Sequence, residues 1–125
     1  MVRQAERVDD WVACGDDVQR AQLMRMLKEA RSTAIGRRYE LGNIRSYEEF
    51  ARRVPVVEYE DIRDDVMRMV GGERDVLWRG VCRNFAQSSG TSGGKSKFIP
   101  ITKDSLRRNH YPGASDAVAA YLRLV

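Results

Sequence analysis

The sequence predicts a helix-rich α/β fold in which short strands flank a loop of serine, glycine and threonine. Apolar residues recur at helical spacing through most of the chain before residue 75, and this periodicity predicts amphipathic helices. A run of small hydroxyl and glycine residues occupies positions 88–94, and short apolar-containing segments precede and follow it. The 125 residues are enough for one domain with a small core.

The first predicted helix begins at Asp16 or Asp17, either of which can act as its N-cap, and runs to about Arg31. One stripe of apolar side chains follows its length: Val18, Ala21, Leu23, Met24, Leu27 and Ala30. Residues 33–43 contain two glycines and are predicted to form a loop.

Two shorter helices follow this loop. Ser46 and Glu49 have the spacing of a capping box, and Pro55 closes the helix that they begin. The next helix covers about residues 59–70 and ends at Gly71-Gly72. Acidic residues crowd its start, where the helix dipole explains them better than a metal site does: Glu58, Glu60, Asp61, Asp64 and Asp65.

The last two fifths of the chain contain the predicted strands. Residues 75–80 and 84–87 are predicted to be short strands, and residues 98–101 after the loop are extended. A final helix is capped by Thr102 or Asp104 and is bent or broken near Pro112-Gly113.

The segment between the strands has the composition of an anion-binding loop. Glycine lets another molecule approach the backbone closely, consecutive N–H groups form a nest for anions, and hydroxyl and ammonium groups add donors. The segment consists of Ser88, Ser89, Gly90, Thr91, Ser92, Gly93, Gly94, Lys95, Ser96 and Lys97. This composition favours a phosphate loop, while a flexible linker or a simple hairpin turn remain alternatives.

A Walker-type phosphate loop is the second interpretation of this segment. Gly94-Lys95-Ser96 matches the end of that motif, but Ser89 stands where its first glycine belongs. A Walker lysine also begins a helix, and Pro100 would fall within its first turns. A strand, a loop and another strand therefore fit the sequence better than a strand, a loop and a helix.

The segment resembles the phosphate loop of the auxin-responsive Gretchen Hagen family, the acyl-acid amido synthetases of the adenylate-forming superfamily. The doubled serine at its start and the longer gap to the lysine point to this branch of the superfamily. Further landmarks in the family order extend the resemblance over residues 18–106: Gln19, Leu23–Leu27, Thr33, Gly36, Tyr39, Phe50, Val54-Pro55-Val56, Tyr59-Glu60-Asp61, Gly72 and Phe85.

One position departs from the family pattern. Relatives commonly carry proline directly before the closing lysine, and this chain has Ser96 there. Lys97 is matched to the family lysine because it keeps the spacing to Gly94 and Pro100, and Lys95 is an additional cation.

The resemblance implies an ATP-dependent ligase that uses Mg²⁺, a small carboxylic acid and an amine such as an amino acid. The residues that it assigns to the ATP phosphates are Ser88, Ser89, Gly90, Thr91, Ser92, Gly93, Gly94 and Lys97. It assigns no catalytic side chain and no metal ligand. The family enzymes are several times longer, so we expect residues 1–125 to be a single incomplete domain that is inactive alone, the N-terminal portion of the large adenylation domain. A non-catalytic helical interaction module is the alternative from another class.

Composition argues against several other functions. The net charge of +4 is dispersed, with arginine pairs in place of a basic tract, so no nucleic-acid partner is expected. Cys14 and Cys82 lie far apart and lack the spacing of a zinc site. No apolar run approaches membrane-spanning length, so we expect a cytoplasmic protein with no membrane partner.

Overall fold

The computed structural model describes the backbone of residues 2–88 and 96–124, and the surroundings of side chains within 14–88 and 96–122. The chain divides into two compact units. Leu23–Thr102 form one, and Met1–Gln22 with Lys103–Val125 form the other. The described residues form a helix-rich α/β architecture with one small antiparallel sheet, which agrees with the predicted class.

Helix α1 runs over Val2–Ala30 and has non-helical backbone at Cys14, where φ is −125° and ψ is 25°. The kink separates two helical segments, so the second begins just after Cys14, close to the predicted start at Asp16 or Asp17, and the segment before the kink was not predicted. The sequence before residue 14 contains no proline, so nothing local prevents a helix there. The predicted end near Arg31 is confirmed.

Helix α2 covers Ala34–Arg38 within the segment that was predicted to be a loop, and a 3₁₀ turn covers Leu41–Asn43. The Thr33 hydroxyl accepts from the N–H of Gly36 at 3.0 Å and donates to the carbonyl of Ala30 at 2.7 Å. The N–H groups of Ala34 and Ile35 donate to the carbonyls of residues 75 and 76 at 2.7 and 3.1 Å. The first turn is therefore satisfied partly by distant backbone, which explains why local sequence did not reveal it.

Helices α3, Tyr47–Arg53, and α4, Tyr59–Val70, confirm the two predictions made from caps. The Ser46 hydroxyl accepts from the N–H of Glu49 at 3.2 Å, as a capping box requires. The Glu49 carboxylate accepts from the N–H of Arg45 at 2.6 Å, one residue before the cap. At the start of α4, Asp61 accepts from the N–H of Glu58 at 2.8 Å, so this acidic residue acts as a cap.

The strand predicted over residues 75–80 is wrong, because this segment is an irregular loop. Asp75 and Gly80 have φ of 55° and 79°, outside the strand region. The Asp75 carboxylate accepts from the N–H of Gly80 at 2.6 Å, and the Asp75 N–H donates to the Gly80 carbonyl at 3.1 Å. These bonds close the segment on itself and compete with strand pairing.

Strands β1, Asn84–Ser88, and β2, Lys97–Ile101, pair antiparallel. The predicted strand at residues 84–87 is therefore confirmed. The chain then forms the short helix α5, Lys103–Ser105, a π-helical segment, Leu106–His110, and helix α6, Tyr111–Leu124. The irregularity expected at Pro112-Gly113 lies directly before them, since a proline lacks the N–H that a regular helix needs.

Two apolar clusters lie within the unit formed by Leu23–Thr102. Leu27, Ala30, Leu41 and Ile44 form the first, against which Phe50, Trp78 and other half-buried side chains pack. The second cluster consists of Met69, Val76 and Cys82, and Phe85 of β1 packs against it. The second cluster thus ties the hairpin to helix α4 and to the loop of residues 75–80.

A buried carboxylate joins helices α2 and α4. Asp65 is only 5% exposed and accepts from both terminal nitrogens of Arg38, at 2.7 and 3.1 Å, and from Arg68 at 2.9 Å. The hydrogen bonds from Arg38 lower the pKa of Asp65 and outweigh the opposing effect of burial. Asp65 was predicted to complement the helix dipole, and the structure gives it an ion-pairing role instead.

We expect Asp65→Asn to lower the free energy of unfolding by about 1–3 kcal/mol, the range for a buried hydrogen-bonded charge. Because the folded-state pKa of Asp65 is lowered, its carboxylate stays charged in the folded protein even below its usual pKa of about 4. Its contribution to stability is therefore complete above that pH. It is lost as the pH falls further, through the lowered folded-state pKa. Urea unfolding at neutral and acidic pH measures the difference.

The control for this variant is Glu60→Gln on the same helix. Glu60 pairs with Arg63 at 3.0 Å, but its side chain is 63% exposed, so the change should stay within about 0.5 kcal/mol. Equal effects of the two substitutions would contradict the stabilising role of Asp65.

Candidate functional site

The hairpin of β1 and β2 holds the two ends of the serine- and glycine-rich segment side by side. Ser88, the last residue of β1, lies directly opposite Lys97, the first residue of β2. The Cα atoms of such antiparallel partners are about 4.5–5.5 Å apart. The hairpin therefore fixes the points where residues 89–96 leave one strand and enter the other.

The register also explains how a proline fits into β2. Pro100 lies opposite Phe85, and the missing N–H of a proline is tolerated where the strand does not donate to its neighbour. Along an antiparallel strand, every second residue directs its N–H and C=O groups at the neighbouring strand. Phe98 lies two residues from Pro100, so it also directs its backbone groups away from β1. The observed partner of both Phe98 groups is a side chain of helix α4.

That side chain is Tyr59, the first residue of α4. Its hydroxyl donates to the carbonyl of Phe98 and accepts from the N–H of the same residue, each at 3.0 Å. The Lys97 ammonium nitrogen lies 5.3 Å from the centroid of the tyrosine ring, within the range of a cation–π contact. Tyr59 is half-buried, while Lys97 is exposed. One tyrosine thus contacts two consecutive residues of β2.

The base of the hairpin is closed by a buried thiol. The Cys82 S–H is 3.3 Å from the carbonyl of Asn84 and 3.6 Å from that of Ile101, the first pair of the two strands. Cys82 is 7% exposed and packs with Met69 and Val76. The hairpin therefore has the pair Asn84 and Ile101 next to the core and its loop end at Ser88 and Lys97.

Two of the predicted phosphate-binding residues are placed by the structure, and they are brought together. They are Ser88, which is half-buried, and Lys97. The other predicted residues lie outside the described residues: Ser89, Gly90, Thr91, Ser92, Gly93 and Gly94. Lys95 does as well.

The strand that follows the serine- and glycine-rich segment argues against a Walker loop. A Walker loop continues from its lysine into a helix, and here residues 97–101 form a strand. The strands predicted on both sides of residues 89–95 are present, and the Walker alternative is not favoured.

Sequence inspection missed Tyr59 as part of this site. It recognised the residue only as a landmark near the start of a helix, and 39 residues separate Tyr59 from Phe98. No local spacing rule connects a helix N-terminus to a strand at that separation.

The residues that the structure describes also bear on metal binding and membrane insertion. No group of three or more histidine, cysteine, aspartate or glutamate residues there could hold a metal ion. None of the described helices is both long enough and apolar enough to cross a membrane.

The fold agrees with that of solved amido synthetases. A structure of the Arabidopsis GH3.15 acyl acid amido synthetase in complex with 2,4-DB matches with a TM-score of 0.80 at 29% sequence identity, over 94% of this chain and 21% of that one. Another GH3.15 acyl acid amido synthetase structure matches with a TM-score of 0.78 at 30% identity. A helix-rich α/β domain with this small sheet is thus a part of the acyl acid amido synthetase fold.

The sequence comparisons identify the family. The family profile for the GH3 family N-terminal domain matches residues 4–123, and the chain therefore belongs to the GH3 family. It is 34% identical over 102 residues to the indole-3-acetic acid-amido synthetase GH3.6 of Arabidopsis thaliana, covering 81% of this chain and 17% of that protein. It is 33% identical over 104 residues to a probable indole-3-acetic acid-amido synthetase, GH3.2, of Oryza sativa subsp. japonica. The chain spans about a fifth or less of the length of these relatives.

Proposed function

We propose that residues 1–125 form the N-terminal portion of the adenylation domain of an ATP-dependent acyl-acid amido synthetase and supply its phosphate loop. Ser88 and Lys97, which lie directly opposite each other at the loop end of the hairpin, carry this proposal. They bracket a segment whose glycines and hydroxyls suit a polyphosphate, and Lys97 adds a cation that is exposed. Membership of a family of amido synthetases supports the assignment.

Each part of the segment has a role in this proposal. Backbone N–H groups of Gly90–Gly94 hold the β- and γ-phosphates, as nests of consecutive N–H groups do. The hydroxyls of Ser88, Ser89, Thr91 and Ser92 donate to phosphate oxygens or to water around Mg²⁺. Lys97 neutralises charge on the departing pyrophosphate.

The proposed chemistry has two steps. A carboxylate oxygen of the acid attacks the α-phosphorus of ATP, and the bond to the bridging oxygen breaks, so that pyrophosphate leaves with the electron pair. The amine of an amino acid then attacks the acyl carbon, loses a proton and displaces AMP, which forms the amide. The first step needs alignment and charge stabilisation more than a protein nucleophile.

Mg²⁺ would enter this site with ATP and offset the phosphate charge. Hydroxyl groups fit an ion that keeps several of its waters, and such an ion needs few protein ligands. The substrate class is a small carboxylic acid, as in the names of the relatives that act on indole-3-acetic acid or bind 2,4-DB.

Binding of phosphate compounds to the 125-residue chain tests this proposal. We expect ATP to bind with a Kd above about 1 mM, equivalent to less than ~4 kcal/mol, because contacts with the phosphates alone must offset the entropy cost of binding. Pyrophosphate should bind about as well as ATP, and no acyl-adenylate should form. Phosphorus NMR titrations measure both affinities.

Adenosine, which lacks phosphates, is the negative control. Lys97→Met is the matched variant, because it keeps an unbranched side chain of similar length and removes the charge. Micromolar affinity for ATP with a clear preference over pyrophosphate would contradict the expectation that this chain holds only the phosphate part of the site. Equal pyrophosphate binding by the original chain and Lys97→Met would contradict the role of Lys97.

A further inference from the structure

The hydroxyl of Tyr59 anchors strand β2 at the residue next to Lys97. A hydroxyl has one donor and can accept, and here it satisfies both backbone groups of Phe98 at 3.0 Å. This fixes the ring of Tyr59 relative to the backbone on which Lys97 is carried. The contact joins the first turn of α4 to the first residues of β2.

The face of the same ring holds the end of the lysine side chain. The ammonium nitrogen of Lys97 lies 5.3 Å from the ring centroid, and the ring face carries the negative part of the aromatic quadrupole. Among the described residues, the structure shows no carboxylate paired with Lys97. An aromatic face restrains an ammonium group without neutralising it and without occupying its N–H donors with an acceptor atom.

From these contacts we infer that Tyr59 is a positioning residue. Its ring holds the Lys97 ammonium at the loop end of the hairpin, where the ammonium can bind the phosphate groups of the nucleotide. This inference rests on the proposed function. A lysine that is free in solution samples many rotamers and loses that freedom when it binds an anion. The tyrosine ring removes part of this cost before the phosphate arrives, and the full positive charge remains available.

The first test is spectroscopic. Reductive methylation with ¹³C-formaldehyde labels the four lysines of the chain, Lys28, Lys95, Lys97 and Lys103, and preserves their charge. Protons above an aromatic ring are shielded, so the Lys97 signal, assigned with Lys97→Arg, should lie upfield of the signal from Lys28. Tyr59→Leu should move it to the ordinary position, while Tyr59→Phe, which keeps the ring but loses the hydroxyl that fixes it, should leave the signal between the two.

The second test is a double-mutant cycle on pyrophosphate binding. We expect Tyr59→Leu to weaken pyrophosphate binding about two- to fivefold relative to Tyr59→Phe, the range for an exposed cation–π contact. In a Lys97→Met chain, the same pair of substitutions should differ by less than about 1.5-fold, because the cation that the ring positions is gone. A purely structural role of Tyr59 would weaken binding equally in both backgrounds.

The outcomes separate this inference from the proposed function. If Lys97→Met weakens binding but Tyr59→Leu and Tyr59→Phe bind alike, only the positioning role is wrong. If Lys97→Met has no effect, the phosphate-binding role of Lys97 is wrong and the inference falls with it. Should Tyr59→Leu fail to fold by circular dichroism, an unshifted Lys97 signal in the original chain still overturns the inference.

Discussion

Replacing Gly36 with alanine is expected to destabilise the chain by at least about 3 kcal/mol, the upper range for forcing extra atoms into a packed site. A Cβ on Gly36 would lie 1.9 Å from the carbonyl oxygen of Ala30 and 2.8 Å from the carbonyl carbon of Arg31. Both are backbone atoms, so rotating a side chain cannot relieve the clash.

The Ala30 carbonyl cannot easily move away. It accepts from the N–H of Thr33 at 3.0 Å and from the Thr33 hydroxyl at 2.7 Å, and Thr33 is completely buried. Ala30 itself belongs to the first apolar cluster. A shift of this carbonyl would therefore disrupt the end of α1, the cap of α2 and the core together.

Urea unfolding followed by circular dichroism measures this prediction, with Gly42→Ala as the matched control. A Cβ on Gly42 would approach only the side chain of Arg31, at 3.4 Å from its Cβ and 4.0 Å from its Cδ, which are ordinary contacts. That variant should stay within about 0.5 kcal/mol of the original chain. Similar unfolding free energies for the two variants would contradict the packing around Gly36.

Removing one side chain that is proposed to bind the ATP phosphates is expected to have the largest effect on activity. In a full-length family enzyme whose N-terminal region is replaced by residues 4–123 of this chain, Thr91→Ala and Lys97→Ala should each reduce carboxylate-dependent exchange of labelled pyrophosphate into ATP. The expected reduction is roughly ten- to a thousandfold, the usual loss for one group that stabilises a transition state.

The matched control is Lys95→Ala, which removes a lysine two residues away. Only Lys97 keeps the spacing to Gly94 and Pro100, so Lys95→Ala should cause a clearly smaller loss. Hydrolysis of ATP to ADP without any acid substrate would instead support a Walker-like function. An unmutated chimera with no response to nucleotide, combined with binding of a protein partner, would support an interaction module.

Much of the fold near the site could be predicted because its signals are local. Ser46 with Glu49 marked the start of α3, Gly71 followed α4, and Pro100 excluded a helix after the loop. In each case, the residue that gives the signal lies within a few positions of the structure that it determines.

Predictions failed where the decisive partner was distant or where a side chain competed with the backbone. The run Val76-Leu77-Trp78 has the composition of a strand, but the hydrogen bonds of Asp75 to Gly80 close it into a loop. Helix α2 was missed because its first N–H groups are satisfied by this same loop, some forty residues along the chain.

The sequence by itself determined the family, the position of the serine- and glycine-rich segment and the strand that follows it. These properties depend on residue types at fixed spacings, which can be recognised without coordinates. Only the tertiary structure decided that Tyr59 lies against Lys97, that Arg38 pairs with Asp65, and that Gly36 has no room for a side chain. The first two contacts join residues 38 and 27 positions apart, and the third depends on how α2 meets the end of α1. Such contacts arise only when packing brings separate elements together, and no local pattern encodes them.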